Sequence, residues 1–372
     1  MKQGTGAISE RPAAAPSGRC RPDTVPQTGQ LRYVCEPDAG ITRMRGPNGF
    51  AYRHPNGRVV RNPATLERIR RLAIPPAWEG VWICADPDGH IQATGRDARG
   101  RKQYRYHPAW REMRDADKFE RLEAFGQALP EIRRQAAADL AHPDLTKAKI
   151  VALVVSLMDE TLLRVGNEEY ARSNEAYGLT TLRDRHALVC GSEIRLVFRG
   201  KGGKTQLATI RNRRLARAVK RSQELPGEVL FQYLDESGHP VPVSSGDVND
   251  YLRSIAGREF SAKDFRTWGG TLIAARELAG KGGLSGGARD ALRRVNEALD
   301  VASAHLGNTR AVARRSYVHP AIIEAFLDGA LSAAWEQALA EAVTTEGLSA
   351  EEQALLIVLG APAVGPEAQI SA

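Results

Sequence analysis

The pattern of the chain changes near Arg111, and the change limits it to an α+β fold. From Leu31 to about Arg111, short strand-like runs are separated by tight-turn chemistry. "GPNGFAYRHPNGRVV" holds Asn48-Gly49 and Asn56-Gly57 around an aromatic stretch, and "VWICADPDGHIQATG" sets Asp88-Gly89 between two strand-like runs. These dipeptides supply the positive φ that close hairpins need. "LERIRRLAIPPAW" reads as one short helix ended by Pro75-Pro76. Residues 31–112 are therefore expected to form a small, mainly β domain.

Helical spacing dominates after that point. In "TKAKIVALVVSLMDETLLRVG", Thr146 is the expected N-cap, Ile150, Leu153, Val154, Leu157 and Met158 share a face, and Arg164 ends the helix. "DVNDYLRSIA", "SAKDFRTWGGTLIAARELAG", "ARDALRRVNEALDVASAHLG" and "PAIIEAFLDGALSAAWEQALAEAV" are further helical patterns. Residues 113–345 read as a larger, mainly α domain with one small sheet, followed over 346–372 by a C-terminal helix and flexible tail. Residues 1–30, rich in Pro, Gly, Ala and Ser without periodicity, read as a disordered arm.

The small sheet surrounds "FRGKGGKTQ", whose Gly203-Lys204-Thr205 imitates the end of a Walker loop. The full pattern needs a glycine where Phe198 stands, and a helix after the threonine. Here "EIRLVF" and "KTQLATI" are both strand-like. The segment is thus a β-hairpin with Lys201 exposed at its tip, and no ATP site is expected.

Composition narrows the partners. The formal net charge is +8 and arginine dominates the cations, which suits either a merely basic soluble protein or one with an anionic polymer as partner. Cys20, Cys35, Cys84 and Cys190 form no C-x-x-C pair, and the histidines show no ligand spacing. No metal or other cofactor is expected. No apolar run approaches membrane-spanning length and the N-terminus lacks a hydrophobic signal core, so a cytoplasmic protein without membrane contact is expected.

Three residues draw chemical interest, each with an ordinary explanation beside it. Tyr317, just after Arg314-Arg315 in "HLGNTRAVARRSYVHP", is a surface or capping aromatic unless cations stabilise its phenolate. Arg164 suits the C-terminal end of a helix dipole. Arg266 shares a helix with Phe265, Trp268 and Leu272 and fits a semi-buried ion pair.

Taken in order, Arg164, Lys201, Arg266, Asn308 and Tyr317 resemble the catalytic set of type IB DNA topoisomerases, in the bacterial and poxvirus-like branch. The motifs are "LLRVGNEEY", "FRGKGGKTQ", "AKDFRTWGG" and "NTRAVARRSYVHP", with Asn308 nine residues before the tyrosine as in the family. The resemblance spans about Leu31 to the 340s. It implies that Tyr317 attacks a DNA phosphodiester to leave a 3′-phosphotyrosine, that Arg164 and Arg266 hold the phosphate oxygens, and that Lys201 protonates the leaving 5′-oxygen. Many relatives carry histidine where Asn308 stands; asparagine can donate the same hydrogen bond but cannot shuttle a proton. His305 competes for that role, and Lys204 ranks behind Lys201.

The resemblance also implies double-stranded DNA as partner, a clamp around it, and action as a monomer on the bacterial nucleoid. "GRKQYRYHPAW" looks like the family's major-groove segment, so Arg101, Lys102, Gln103, Tyr104 and Tyr106 are DNA-binding candidates, together with Tyr170, Lys204 and Lys263. A tyrosine recombinase, which usually has H-x-x-R where this chain has Lys263-x-x-Arg266, is the nearest alternative. A catalytically silent DNA clamp is the other.

Overall fold

A computed structural model describes residues 31–34, 39–46, 49–98, 100, 102–257, 260–280, 282, 287–343 and 346–360. The two tails, residues 1–30 and 361–372, lie outside the described residues, as do Cys20, Cys35 and Arg101. The chain divides into two compact units between Arg114 and Asp115.

The first unit is a five-stranded antiparallel sheet with one short helix. Its elements are β1 (Ile41–Gly46), β2 (Gly49–Arg53), α1 (Pro63–Arg71), β3 (Glu79–Ile83), β4 (Ile91–Arg96) and β5 (Lys102–Tyr106), in strand order β2-β1-β3-β4-β5. The expected turns fall where Asn-Gly and Asp-Gly stand: Gly46 pairs with Gly49, Gly57 has φ +80°, and Asp88-Gly89 lies between β3 and β4. Asn62 caps α1 by accepting the Thr65 N–H at 3.1 Å, and Pro63 occupies the first turn, where its missing donor costs nothing. Ile41, Val60, Ile69, Val81, Ile83 and Ala93 form the core between helix and sheet.

α2 (Pro108–Ala141), which begins before the division, and α3 (Lys147–Thr161) both contribute to the core of the second unit. Leu122, Phe125, Leu129, Ile132, Ala136 and Leu140 recur at helical spacing along α2 and are buried. Thr146 caps α3 as expected, accepting the Lys149 N–H at 3.2 Å. The helix stops at Thr161, however, and Arg164 lies beyond it. Leu162 adopts the left-handed conformation (φ +55°) and its N–H returns to Met158 O, which ends the helix before the arginine.

There follow α4 (Glu168–Asn174), then β6 (Ala187–Cys190), β7 (Glu193–Arg199) and β8 (Thr205–Arg211) in an antiparallel sheet of that order. β7 and β8 are the expected hairpin, closed by a single 3₁₀ turn at Lys201–Gly203. Next come α5 (Arg213–Gln223), the two-stranded β9 (Gln232–Leu234) and β10 (Pro240–Pro242), α6 (Ser245–Ala256), α7 (Ala262–Ala279), α8 (Ala288–Leu306) and α9 (Arg310–Ser316). The last long helical pattern is two helices, α10 (Pro320–Leu327) and α11 (Leu331–Glu341), parted at Gly329, whose φ of +77° no helix interior tolerates. α12 (Ala350–Gly360) buries Ala354 and Leu355 in the same core.

Candidate active site

α7 is the platform. Its N-terminus is fixed by Ser261 and Asp264: the carboxylate accepts the Ser261 N–H at 2.8 Å, completing a capping box. One turn later Arg266 is 4% exposed, with Phe265 and Trp268 buried beside it, while Lys263 stays exposed. The Arg266 guanidinium donates to Leu162 O, in the turn that ends α3, and at 2.8 Å to Leu306 O at the end of α8. Burying this cation is expensive, and the two carbonyls compensate only part of that cost. Its Nε is buried with no hydrogen-bond partner among the described residues.

Two glycines follow on the same helix, and each admits a segment that carries a functional candidate. A Cβ on Gly269 would meet Leu162 Cδ1 at 2.5 Å; a Cβ on Gly270 would meet Tyr317 O at 2.7 Å. Tyr317 itself caps the C-terminus of α9, with non-helical φ −140° and ψ −5° and its N–H donated to Ala313 O. Thr271 Oγ1 lies 3.3 Å from Tyr317 O and accepts the His319 N–H at 3.1 Å. On the preceding residue, buried Lys118 of α2 donates to Ser316 O at 3.0 Å.

The geometry brings four candidates together. Arg266 Cζ lies 4.9 Å from the centroid of the Tyr317 ring. Arg164 Nη2 donates to Asn308 Oδ1, and Asn308 Nδ2 is buried with no partner among the described residues. Burial alone would raise the Tyr317 phenol; the charge and hydrogen bonding of Arg266, then the charges of Arg164 and Lys263, outweigh it and leave the phenol below its ordinary value.

Arg164 owes its place to the loop after α3. Its carbonyl accepts the Leu179 N–H at 2.9 Å, and a Cβ on Gly178 would meet Gly166 Cα at 2.6 Å, so two glycines let the strands of this loop touch. Lys201 is exposed at the tip of the β7–β8 hairpin, and Lys204, which closes the same turn, is exposed too. His305, on α8, is exposed and its Nδ1 lies 3.0 Å from Val301 O on its own helix, whereas Asn308 meets Arg164. Tyr170 belongs to α4; its side chain lies outside the described residues.

In the first unit, edge strand β5 alternates strictly. Lys102, Tyr104 and Tyr106 are exposed; Tyr104 and Tyr106 stack at 5.9 Å, and Lys102 Nζ lies 5.6 Å from the Tyr104 ring centroid. Gln103 points to the opposite side, half-buried, where its Nε2 donates to Asp97 at 3.0 Å. The period of two thus divides the segment: the stacked tyrosines and the lysine share one face, and the glutamine does not.

Sequence reasoning passed over Gly270, Thr271, Lys118 and Gln206. The adjacent glycines in "TWGG" were a legible signal, since glycine pairs inside an apolar helix mark close approach.

Comparison with known proteins agrees with this arrangement. The family described as the eukaryotic DNA topoisomerase I catalytic core matches residues 107–342, and the bacterial DNA topoisomerase IB N-terminal domain matches residues 49–97. DNA topoisomerase 1B of Acanthamoeba polyphaga mimivirus is 34% identical over 285 residues, covering 75% of this chain and 85% of that relative. The chain belongs to the type IB DNA topoisomerase family. It is a type I DNA topoisomerase, an isomerase whose substrate is DNA. No helix among the described residues is long and apolar enough to cross a membrane.

Proposed function

We propose that the protein relaxes supercoiled duplex DNA by a transient nick held on Tyr317, without ATP or metal. Tyr317 gives up its phenolic proton to solvent water and its Oη bonds to the scissile phosphorus. The P–O5′ bond breaks, its electron pair leaves with O5′, and the Lys201 ammonium supplies the proton that makes a 5′-hydroxyl. Reversal of the same steps reseals the strand after the free end has swivelled, so the bond is conserved and no nucleotide is consumed.

The observation that supports this reading most is the Arg266 guanidinium 4.9 Å from the Tyr317 ring, with Arg164 also lowering the phenol. Arg164 and Arg266 would neutralise the charge that builds on the non-bridging oxygens, the task a metal performs elsewhere. The buried Nδ2 of Asn308, free of any partner among the described residues, is a donor for one of those oxygens. Lys102, Tyr104 and Tyr106 would bind the duplex, Gln103 would support that strand, and Arg101, Tyr170, Lys204 and Lys263 would add contacts. The protein would act as a monomer on nucleoid DNA in the cytoplasm.

A duplex oligonucleotide nicked just past the scissile bond tests the intermediate, because the short leaving strand diffuses away. The wild type should accumulate a denaturant-stable protein–DNA adduct with a free 5′-hydroxyl on the released strand. Tyr317→Phe should bind the duplex and form none; an adduct with that variant would refute the assignment.

A further inference from the structure

Lys201 and Asn308 each follow a glycine, Gly200 and Gly307, and one side chain lies against both glycines. That side chain is Gln206 of β8. A Cβ built on Gly200 would stand 2.7 Å from Gln206 Cγ, and one built on Gly307 would stand 2.5 Å from Gln206 Oε1. Gln206 is half-buried while its strand neighbours Thr205 and Leu207 are exposed, as its place between the two glycines requires.

The tip needs such a stay. Gly202 and Gly203 both have positive φ, at +79° and +77°, so the turn is built from the most freely moving residues. The Lys201 side chain is exposed and has no partner among the described residues. Behind the tip, the Gly200 N–H donates to Lys204 O at 2.8 Å, and the Tyr177 N–H donates to Arg199 O at 2.7 Å. These bonds fix the hairpin to itself and to the segment after α4. Gln206 lies between it and the turn joining α8 and α9, where Gly307 (φ +60°) leads into Asn308.

We infer that Gln206 is a positioning residue, a wedge that sets the Lys201 tip at working distance from the turn bearing Asn308. The inference rests on Lys201 being the proton donor. Its effect is exerted through the lysine, so it should vanish when the leaving group needs no proton. A misplacement of about 1 Å can cost about a hundredfold in rate.

Single-turnover cleavage of two duplexes tests this, one with the ordinary 5′-oxygen and one with sulfur in the bridging position. A thiol, with a pKa of about 8.5, leaves as a thiolate without help. Gln206→Ala should cleave the oxygen substrate about ten- to a hundredfold more slowly than the wild type and the sulfur substrate at close to the wild-type rate. Lys201→Ala should show the same rescue from a deeper loss. Gln206→Met, which keeps the length and bulk of the wedge, should cleave the oxygen substrate within about threefold of the wild type. The inference is overturned if Gln206→Ala matches the wild type on oxygen, if Gln206→Met is as slow as Gln206→Ala, or if Gln206→Ala is equally slow on both substrates while Lys201→Ala is rescued. That last pattern leaves the function intact and makes Gln206 a general structural residue. If Lys201→Ala itself is not rescued by sulfur, the lysine is not the proton donor, and the fault lies in the proposed mechanism instead.

Discussion

Tyr317 rests on Gly270: a Cβ at that glycine would stand 2.7 Å from the tyrosine's own carbonyl oxygen and 3.3 Å from its Cβ. The obstacle is backbone, which cannot swing aside as a side-chain end can. Gly270→Ala should therefore push the α9–α10 connection off α7, costing about 1–3 kcal/mol of stability as overpacking does. Cleavage should fall by about a hundredfold, because the nucleophile moves. Gly269→Ala, whose three nearest contacts are all side-chain atoms of Leu162 and not backbone, should be milder on both counts. Thermal melts and single-turnover cleavage of both variants check the contrast.

The cation over the Tyr317 ring makes the pH dependence specific. The phenol is held below its ordinary value, so the rising limb of cleavage against pH, set by the phenolate fraction, should lie at lower pH than a free tyrosine would give. Arg266→Ala removes the strongest opposing charge while burial remains. That limb should then move to higher pH, and the rate below it should drop by about a hundred- to a thousandfold. A rate that falls with no movement of the limb would mean that Arg266 serves the phosphate alone.

Away from the site, Arg133 ties three helices together. It pairs with Asp159 of α3 at 2.7 Å and with Glu352 of α12 at 2.8 Å, and Glu352 also accepts the Trp268 indole N–H of α7 at 3.2 Å. Burial pushes the Glu352 carboxyl up, but Arg133, the Ser349 N–H and Trp268 pull it below its ordinary value. A depressed carboxylate stabilises the fold above its unfolded pKa, about 4.3, and that stability is lost as pH falls through the folded value. Glu352→Ala should cost about 1–3 kcal/mol at neutral pH, because half-buried Arg133 keeps Asp159 but loses its second carboxylate and the Trp268 indole N–H loses its acceptor, and it should flatten the acid limb of stability below about pH 4. Urea denaturation at stepped pH measures both.

On the first unit, Lys102 lies on the same face of β5 as the stacked Tyr104 and Tyr106. If that face meets the DNA backbone, Lys102→Ala should weaken binding about equally for all sequences and reduce the slope of log K against log salt by about 0.9. Gln103→Ala should disturb the Asp97 contact and leave the salt slope unchanged. Filter binding across a salt series distinguishes the two.

Much of this architecture was legible in the chain, and the exceptions have physical causes. Thr146 capped its helix where side-chain chemistry said it should, and the Lys201 hairpin formed where strand patterning flanked the glycines. Arg164 fell outside the helix because Leu162 enters the left-handed region, which a leucine seldom does; packing against Gly269 overrides its preference. α2 carries a clean apolar stripe, but Pro130 lies inside it and argues locally for a break that tertiary packing prevents. The site was another matter. Arg164 and Asn308 are 144 residues apart, and no spacing announces that they will touch. Only the family resemblance grouped them, and it assigned no role to Gly270 or Gln206, although both lie within its motifs.

The most direct measurement is relaxation of negatively supercoiled plasmid in EDTA without ATP, with wild type and Tyr317→Phe side by side. The account predicts a ladder of relaxed topoisomers from the wild type and unchanged supercoils from the variant. A plasmid left supercoiled by wild-type protein that binds it, or relaxed by the phenylalanine variant, would contradict a nick carried on Tyr317.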